Sequence, residues 1–274
     1  MRILLKVGGA ALEESGPRLR FAECVFAAAR VGHEVIVVHG GGNQIARLCG
    51  RLDLEESRVD GLRVTDGPTA EAVLMTLGGS VNRQLVAALQ HAGLTAVGLT
   101  GADGNLFAAE PLRAPSGVKL GYVGSVAHVD PSVPEALLKG GHVPVIASVA
   151  PRRGRPEEPF YNINADHAVA PLARALHVDA VLFLTDVPAV RDGDGEPLSE
   201  LDAELVAQLK QSGALAGGML PKTDAALAAA EALPEALVKI APAHAPDCVR
   251  FALHDGVGTR FTSLSEPTSI ASRR

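Results

Sequence analysis

The sequence predicts an α/β sandwich built on a mainly parallel sheet. Short runs of β-branched residues alternate along the chain with longer Ala- and Leu-rich segments of helical period, which is the pattern of βαβ units. Two of the apolar runs, residues 3–7 and 35–39, lead directly into glycines, as strands do where an α/β sheet binds a ligand. With 274 residues and 47% hydrophobic content, the chain has ample material for a buried core.

The first part of the chain alternates helices and strands. Residues 17–31 predict a helix, residues 34–39 a strand, and residues 42–52 a helix that begins at a triple glycine. A long helix follows at residues 68–91, and a strand at 95–100 comes after it. The apolar residues of the long helix recur at helical spacing. The helix is long enough to serve the core and a dimer interface together, or it serves the core alone.

Residues 106–129 break this alternation. They alternate in polarity and are rich in glycine and proline, which predicts antiparallel hairpins at a sheet edge or in a lid. A strand at 142–147 then precedes a charged, proline-rich loop at 151–159. Residues 161–166 are predicted to open a helix that runs to about residue 176.

A second set of α/β elements begins after this helix. A strand at 180–184 leads into a turn at 185–188, a helix follows near 199–212, and residues 217–222 start another helix. We therefore predict two lobes, residues 1–176 and 177–274. The tail beyond Phe261 is rich in Ser, Thr and Pro and is expected to be peripheral.

Composition excludes several classes of function. The formal charge of −6 and pI near 5.8, with no basic run, argue against binding to nucleic acid or to an anionic membrane. No stretch has the apolar length of a membrane span, so a cytoplasmic location is expected. Cys24, Cys49 and Cys248 form neither a Cys-x-x-Cys pair nor a zinc pattern, which predicts core thiols.

The glycine turns predict an anion site. Gly8-Gly9 and Gly40-Gly41-Gly42 each follow a strand, and glycine allows backbone N–H groups to approach a ligand closely. Lys6 precedes the first pair on an apolar strand, although the chain has only six lysines among its 25 basic residues. The turns match neither the P-loop nor the dinucleotide fingerprint, and each by itself is also compatible with an ordinary tight turn.

Further polar residues occur where helices begin. Lys222 follows a proline in a first helical turn, where the helix dipole disfavours a cation unless an anion binds with it; an exposed lysine is the alternative. Asn162, Asn164 and Asp166 precede or open another helix, as ligand-binding groups or simply as caps. Arg63, in a predicted loop, is a candidate bidentate clamp for a carboxylate, or is solvated.

The histidines do not predict a catalytic centre. His39 and His167 could exchange protons, but nothing near them in sequence forms a triad or a metal cluster. We assign them to the core or to supporting positions.

Seven ordered motifs carry a resemblance that spans residues 3–261. The chain resembles the amino acid kinase family in the segments Lys6-Val7-Gly8-Gly9, His39-Gly40-Gly41-Gly42, Gly61-Leu62-Arg63-Val64-Thr65, Val97-Gly98-Leu99-Thr100-Gly101 with Asp103-Gly104, Asn162-Ile163-Asn164-Ala165-Asp166, Leu184-Thr185-Asp186-Val187 and Gly217-Gly218-Met219-Leu220-Pro221-Lys222. The resemblance implies a three-layer αβα sandwich. Within the family the pattern is most similar to members that use ATP, with Mg²⁺, to phosphorylate the side-chain carboxylate of N-acetyl-L-glutamate in arginine biosynthesis.

The resemblance also implies roles for the residues at matching positions. Lys6 and Lys222 look like the cations that hold the transferring phosphoryl group, and Asp166 looks like the acid that positions both. Backbone N–H groups of Gly9 and Gly41 would bind phosphoryl oxygens.

Substrate and nucleotide would lie in different lobes, the acid in the first and ATP on the second. The resemblance implies that the acid is bound by Gly41, Gly42, Arg63, Asn162 and Asn164. It implies that the nucleotide is bound by Lys6, Gly8, Thr185, Asp186, Val187, Met219 and Lys222. It assigns no residue to a metal site.

Two departures from the family pattern affect these expectations. Asn43 and Gln44 stand where many members carry Pro-Glu, so the second turn departs from the family pattern at these two residues. The chain starts almost directly on its first strand, whereas members inhibited by arginine usually carry an extra N-terminal helix that links dimers into hexamers. The expectation is an arginine-insensitive homodimer. The alternatives are a kinase for an acetylated or carrier-linked aminoadipate, and a non-catalytic ligand sensor on the same fold.

Overall fold

The computed structural model describes residues 1–254 and 256–263, so nearly all of the predicted peripheral tail lies outside the described residues. The strands are β1 (Arg2–Val7), β2 (Glu34–His39), β3 (Arg58–Val59), β4 (Leu62–Arg63), β5 (Ala96–Leu99), β6 (Phe107–Arg113), β7 (Lys119–Val129), β8 (Val143–Ala147), β9 (Val149–Ala150), β10 (Tyr161–Ile163), β11 (Ala180–Thr185), β12 (Glu200–Leu201), β13 (Leu237–Pro242) and β14 (Thr259–Phe261). The helices are α1 (Ala10–Glu13), α2 (Ser15–Arg30), α3 (Gly42–Arg51), α4 (Gly67–Leu74), α5 (Asn82–His91), α6 (Ser132–Lys139), α7 (Ala165–Ala175), α8 (Ala203–Gln211), α9 (Met219–Ala232) and α10 (Cys248–Leu253). A π-helical stretch occupies Met75–Val81, and a 3-10 turn occupies Asp103–Asn105.

The main sheet has eight strands in the order β12-β14-β13-β11-β1-β2-β8-β5. Neighbouring strands run parallel except β13 and β14, which are antiparallel. Strand β2 has the bounds that the sequence predicts, because a strand buried on both faces reads as a continuous apolar run. The prediction of a mainly parallel α/β sheet is confirmed.

Alternation along β1 shows how the layers are arranged. Ile3, Leu5 and Val7 belong to a core shared with α2, α5 and α10, whereas Leu4 belongs to a second core shared with α7 and α9. Helices therefore cover both faces of the sheet, which confirms the three-layer αβα sandwich. Because successive strand residues point to opposite faces, Lys6 lies on the same face as Leu4, toward α7 and α9.

A second, four-stranded sheet has the order β6-β7-β10-β9. Strands β6 and β7 form the antiparallel hairpin predicted for residues 106–129, and β6 is the edge strand of this second sheet. Residues 161–163 are strand β10 and do not open the helix as predicted. Tyr161 and Ile163 are both buried while Asn162 between them is half-buried, which is the period of a strand.

The predicted helix at residues 68–91 is present as α4, the π-helical stretch and α5 in succession. Asp66 caps its start, since its carboxylate accepts a hydrogen bond of 2.9 Å from the backbone N–H of Thr69. The apolar stripe is buried in the core at all of its positions, which are Val73, Leu77, Val81, Leu85 and Leu89. The stripe therefore serves the core, and only other faces of the helix are left for a partner.

The second half differs from the prediction mainly in its short elements. Helix α8 begins at Ala203 and not near residue 199, because Glu200–Leu201 pairs with β14 and Asp202 caps the helix. Strands β13 and β14 were not predicted. Cys24, Cys49 and Cys248 are buried and free, as expected of core thiols. Within the described ranges, no helix is both long and apolar enough to cross a membrane.

Candidate active site

Three neighbouring strands of the main sheet end together. Val7 of β1 is in register with His39 of β2 on one side and with Leu184 of β11 on the other. The segments that follow are Gly8-Gly9, Gly40-Gly41-Gly42 and Asp186-Val187. The topology thus brings both glycine turns and the predicted nucleotide turn to one edge of the sheet, where α/β proteins bind ligands.

Two lysines and one aspartate meet beside this edge. Lys6 Nζ lies 2.7 Å from Asp166 Oδ1, and Lys222 Nζ lies 3.6 Å from Asp166 Oδ2. The three residues come from β1, the first turn of α7 and the first turn of α9. The side chains of Lys6 and Asp166 are 7% and 8% exposed, whereas that of Lys222 is 27% exposed and more open to a ligand.

The charges of this cluster influence one another. Burial lowers the pKa of Lys6 below its usual value, although the nearby Asp166 carboxylate acts in the opposite direction. Burial acts to raise the pKa of Asp166, but the charges of Lys6 and Lys222 together outweigh it and hold that pKa below its usual range. Asp166 is therefore ionised at neutral pH and fits between the lysines as a fixed counter-charge.

The first glycine turn lies against this cluster. A Cβ on Gly8 would come within 3.5 Å of Lys6 Nζ, and one on Gly9 would lie 3.0 Å from Asp186 Oδ2. Gly9 has φ +59° and ψ −142°, a conformation that is essentially restricted to glycine. The turn therefore places its backbone next to Lys6 and the exposed carboxylate of Asp186.

The second glycine turn starts helix α3. Gly41 is the N-cap residue, and a Cβ on it would lie 2.9 Å from Leu77 Cδ2, so the turn is packed too tightly for a side chain there. Gly42 faces open space and begins the helix. The free N–H groups of a helix N-terminus point toward the strand edge, where an anion would be stabilised.

Arg63 lies beside this turn, on the short strand β4 and not in a loop as predicted. Its Nη2 donates to the carbonyl of Gly42 at 3.0 Å, and its Nη1 lies 3.0 Å from Glu56 Oε1. The Arg63 side chain is 5% exposed. Sequence reasoning missed Glu56, since nothing local indicates that an acid on the loop before β3 would pair with Arg63. The interpretation of Arg63 as a solvated loop residue is wrong.

The two predicted asparagines lie in different environments. Asn162, on β10, donates from Nδ2 to Thr65 Oγ1 at 3.3 Å. Asn164 is the N-cap of α7, and its Oδ1 accepts a hydrogen bond of 2.9 Å from the backbone N–H of Asp166. Asn164 thus fixes the start of the helix that carries Asp166. Thr65 was not singled out from the sequence, although it belongs to the segment that contains Arg63.

The predicted nucleotide residues follow β11 or start α9. Thr185 is the last residue of β11, and its carbonyl accepts a hydrogen bond of 2.7 Å from Ala243 N–H. Val187 and Met219 are half-buried, and Met219 is the first residue of α9, the helix that carries Lys222. In the part of the chain that the structure describes, no three His, Cys, Asp or Glu side chains are grouped to hold a metal ion.

Two lysines, a carboxylate between them and two glycine turns meet at one strand edge, which is an arrangement typical of phosphoryl-transfer enzymes. The amino acid kinase family model matches residues 1–239. The chain belongs to the amino acid kinase family.

Individual relatives agree with this assignment. The chain is 43% identical over 232 residues to the acetylglutamate kinase of Koribacter versatilis, covering 85% of this chain and 87% of that protein. It is 42% identical over 262 residues to the acetylglutamate kinase of Acidobacterium capsulatum, covering 93% and 98%. Among solved structures, smu.665 from Streptococcus mutans superposes with a TM-score of 0.81 at 27% identity, covering 96% of this chain and 99% of that one.

Proposed function

We propose that this protein transfers the γ-phosphoryl group of ATP to the side-chain carboxylate of N-acetyl-L-glutamate, which forms N-acetyl-L-glutamyl 5-phosphate in arginine biosynthesis. The observation that carries the proposal is the placement of Lys6 and Lys222 around Asp166 at the strand edge. Relatives at about 40% identity over most of the chain are acetylglutamate kinases, which supports the choice of substrate.

The reaction needs little acid–base chemistry. A carboxylate of the glutamate type has a pKa of about 4.3, so the nucleophile is already ionised at neutral pH and no general base is required. Its attack on phosphorus instead requires that the repulsion between two anions be cancelled and that the reacting groups be held in line. Lys6 and Lys222 supply the positive charge, and Asp166 holds both without competing as a nucleophile.

The acid is proposed to bind in front of the second glycine turn. Arg63 has one nitrogen on the Gly42 carbonyl and another on Glu56, so its guanidinium is held rigidly for a carboxylate of the substrate. Asn162, Gly41 and Gly42 supply the remaining polar contacts. Asn164 caps α7 through its Oδ1, and its side-chain amide nitrogen is proposed to contact the acid.

The nucleotide is proposed to bind along the turns that follow β1 and β11 and along the start of α9. We assign it to Lys6, Gly8, Gly9, Thr185, Asp186, Val187, Met219 and Lys222. Mg²⁺ bound with the nucleotide would neutralise phosphate charge and keep several waters. Asp186 fits such an ion, because its carboxylate is exposed beside Gly9, although its charge also acts on Lys6.

Lobes, assembly and location also remain proposals. Strands from residues 1–176 form one half of the main sheet and strands from 177–261 form the other, which supports the division into an acid-binding and an ATP-binding lobe. We propose a homodimer in the cytoplasm. The outer face of the helix at 67–91 is the candidate interface, since Met75 on it is 52% exposed. Light scattering tests the assembly.

The decisive experiment measures ADP formation with ATP, Mg²⁺ and either N-acetyl-L-glutamate or N-acetyl-L-aminoadipate. We expect turnover with the former and far less with the latter. Lys222→Met should lower kcat by roughly 10²–10³, the scale of one lost preorganised contact, with little change in KM. Lys139→Met, at an exposed lysine on α6, is the control. Binding of both ligands without ADP formation would identify a sensor, and turnover of aminoadipate alone would overturn the proposed substrate.

A further inference from the structure

A chain of buried polar side chains lies beneath the triple glycine. His39, the last residue of β2, and Asn82, the first residue of α5, are both fully buried. Asn82 Nδ2 lies 2.9 Å from His39 Nε2 and donates to the carbonyl of Val145 on β8 at 2.9 Å. Arg83 Nη2 donates to Asn82 Oδ1. The chain of contacts therefore runs from an arginine at the surface to the end of β2.

The surrounding backbone leaves space for these hydrogen-bonded side chains. A Cβ on Gly98 of β5 would lie 1.9 Å from Asn82 Oδ1 and 2.0 Å from Arg83 Nη2, so glycine is required opposite them. The π-helical stretch Met75–Val81 ends immediately before Asn82. Such stretches change which side chains face inward, and they occur frequently at functional sites. Two independent backbone features thus accommodate one buried amide.

The donors and acceptors determine the tautomer of His39. The Val145 carbonyl can only accept and the Arg83 guanidinium can only donate, so the Asn82 amide has one possible orientation. Its Nδ2–H then points at His39 Nε2, which must accept, and the ring proton is on Nδ1. Nδ1 lies 3.0 Å from the Gly40 carbonyl, which is an acceptor. Burial lowers the pKa of His39 to about 4, so the ring is neutral at pH 7.

This hydrogen bond orients the next peptide group. The described chain contains no cis peptide, so the carbonyl of Gly40 and the N–H of Gly41 point in opposite directions. With the carbonyl held toward His39, the Gly41 N–H is directed away from the ring. Gly41 is buried, yet among residues 1–254 and 256–263 its N–H has no hydrogen-bond acceptor. Gly41 is the N-cap of α3, where N–H groups have no partner within the helix, so this N–H is available to an anionic ligand.

We propose that His39 is a positioning residue, whose Nδ1–H holds the Gly40 carbonyl and thereby directs the Gly41 N–H at an oxygen of the transferring phosphoryl group. Asn82 is its partner and keeps the proton on Nδ1. The inference rests on the proposed function, which supplies the phosphoryl group that the Gly41 N–H would bind. It gives a role to a histidine that has no proton-transfer partner.

Two substitutions separate positioning from packing. Asparagine at position 39 places an amide donor near the position of Nδ1, whereas glutamine places its amide near Nε2. His39→Asn should keep kcat within about threefold of wild type while losing the bond from Asn82, which lowers stability. His39→Gln should be the more stable of the two variants. It should nevertheless lose about 10- to 100-fold in kcat, because the Gly41 N–H is no longer held toward the phosphoryl group. His39→Asn should therefore have the higher kcat of the two variants and the lower stability.

The proposal is overturned if kcat follows stability, or if both variants keep or both lose wild-type turnover. A second measurement does not depend on catalysis or on folding of the variants. In ¹⁵N NMR of the wild-type protein, His39 Nδ1 should resonate in the range of a protonated ring nitrogen and Nε2 in that of an unprotonated one. The opposite tautomer overturns the inference. A correct tautomer without ADP formation would instead show that the proposed function is wrong.

Discussion

Replacing Asp166 with asparagine tests the buried cluster directly, because it removes a charge with little change of shape. Lys6 Nζ lies 2.7 Å from the Asp166 carboxylate, and at that separation two unit charges attract by about 6 kcal/mol at an effective dielectric constant of about 20. Lys6 is 6% exposed, so water cannot replace the lost partner. The more exposed Lys222 can turn toward solvent. The cost of the substitution therefore depends mainly on Lys6.

The magnitude is limited by proton release from Lys6. Breaking a buried ion pair by removing one partner costs about 3–5 kcal/mol. Lys6 can avoid being buried as an unpaired cation by losing its proton. For a lysine with an ordinary pKa of about 10.4, deprotonation costs about 4.6 kcal/mol at pH 7 but only about 1.2 kcal/mol at pH 9.5. In the variant the pKa of Lys6 is lower in the folded than in the unfolded chain, so stability rises with pH between those two values.

We therefore expect Asp166→Asn to lose about 3–5 kcal/mol of unfolding free energy at pH 7, and about 1 kcal/mol at pH 9.5. Urea unfolding followed by circular dichroism measures both values. Asp194→Asn makes the same chemical change in an exposed turn and should stay within about 0.5 kcal/mol of wild type at each pH. A loss below about 1 kcal/mol at pH 7, or an equal loss at both pH values, would refute the reasoning.

Two further predictions concern the glycine turn and the acid site. Gly9→Ala should lower the free energy of unfolding by about 1–3 kcal/mol in thermal unfolding, because φ is +59° and the new Cβ meets Asp186. The control is Gly50→Ala, on α3 with open space around it, which should be neutral or stabilising by up to about 1 kcal/mol. Arg63→Lys should raise KM for the acid about tenfold with kcat nearly unchanged, while exposed Arg58→Lys changes KM less than twofold. Equal effects within either pair would contradict these assignments.

Much of the main sheet could be predicted because its strands are buried on both faces. Such strands read as apolar runs bounded by glycine or polar turns, which is why β2 was predicted to the residue and β11 to within one. The second sheet was harder. Strand β10 has only three residues, and it pairs with β7 from far away in the sequence. The hydrophobic period and the composition of so short a segment do not predict which distant strand it pairs with.

In the site, too, some residues have a local sequence signal and others depend on tertiary contacts. Gly9 and Lys222 could be identified locally, since each is unusual for its position at a strand end or helix start. The contact of Arg63 with Glu56 and the support of His39 by Asn82 depend on tertiary packing. For Asn164, capping and binding were both open from the sequence, and only the structure shows that its side chain caps α7.

The charge of the cluster explains how an acidic protein can attract anions. The chain carries a formal charge of −6, so its overall field does not favour ATP or a dicarboxylic acid. Among Lys6, Lys222 and Asp166 the positive charges exceed the negative ones by one, and the side chains of Lys6 and Asp166 are largely hidden from water. The Asp186 carboxylate, which also acts on Lys6, is exposed to solvent that screens it. The two lysines and Asp166 come from β1, α9 and α7, so the excess charge is concentrated only when the chain folds. Under the proposed function, a phosphoryl group bound beside the two lysines would offset this excess positive charge, which is assembled only in the folded protein.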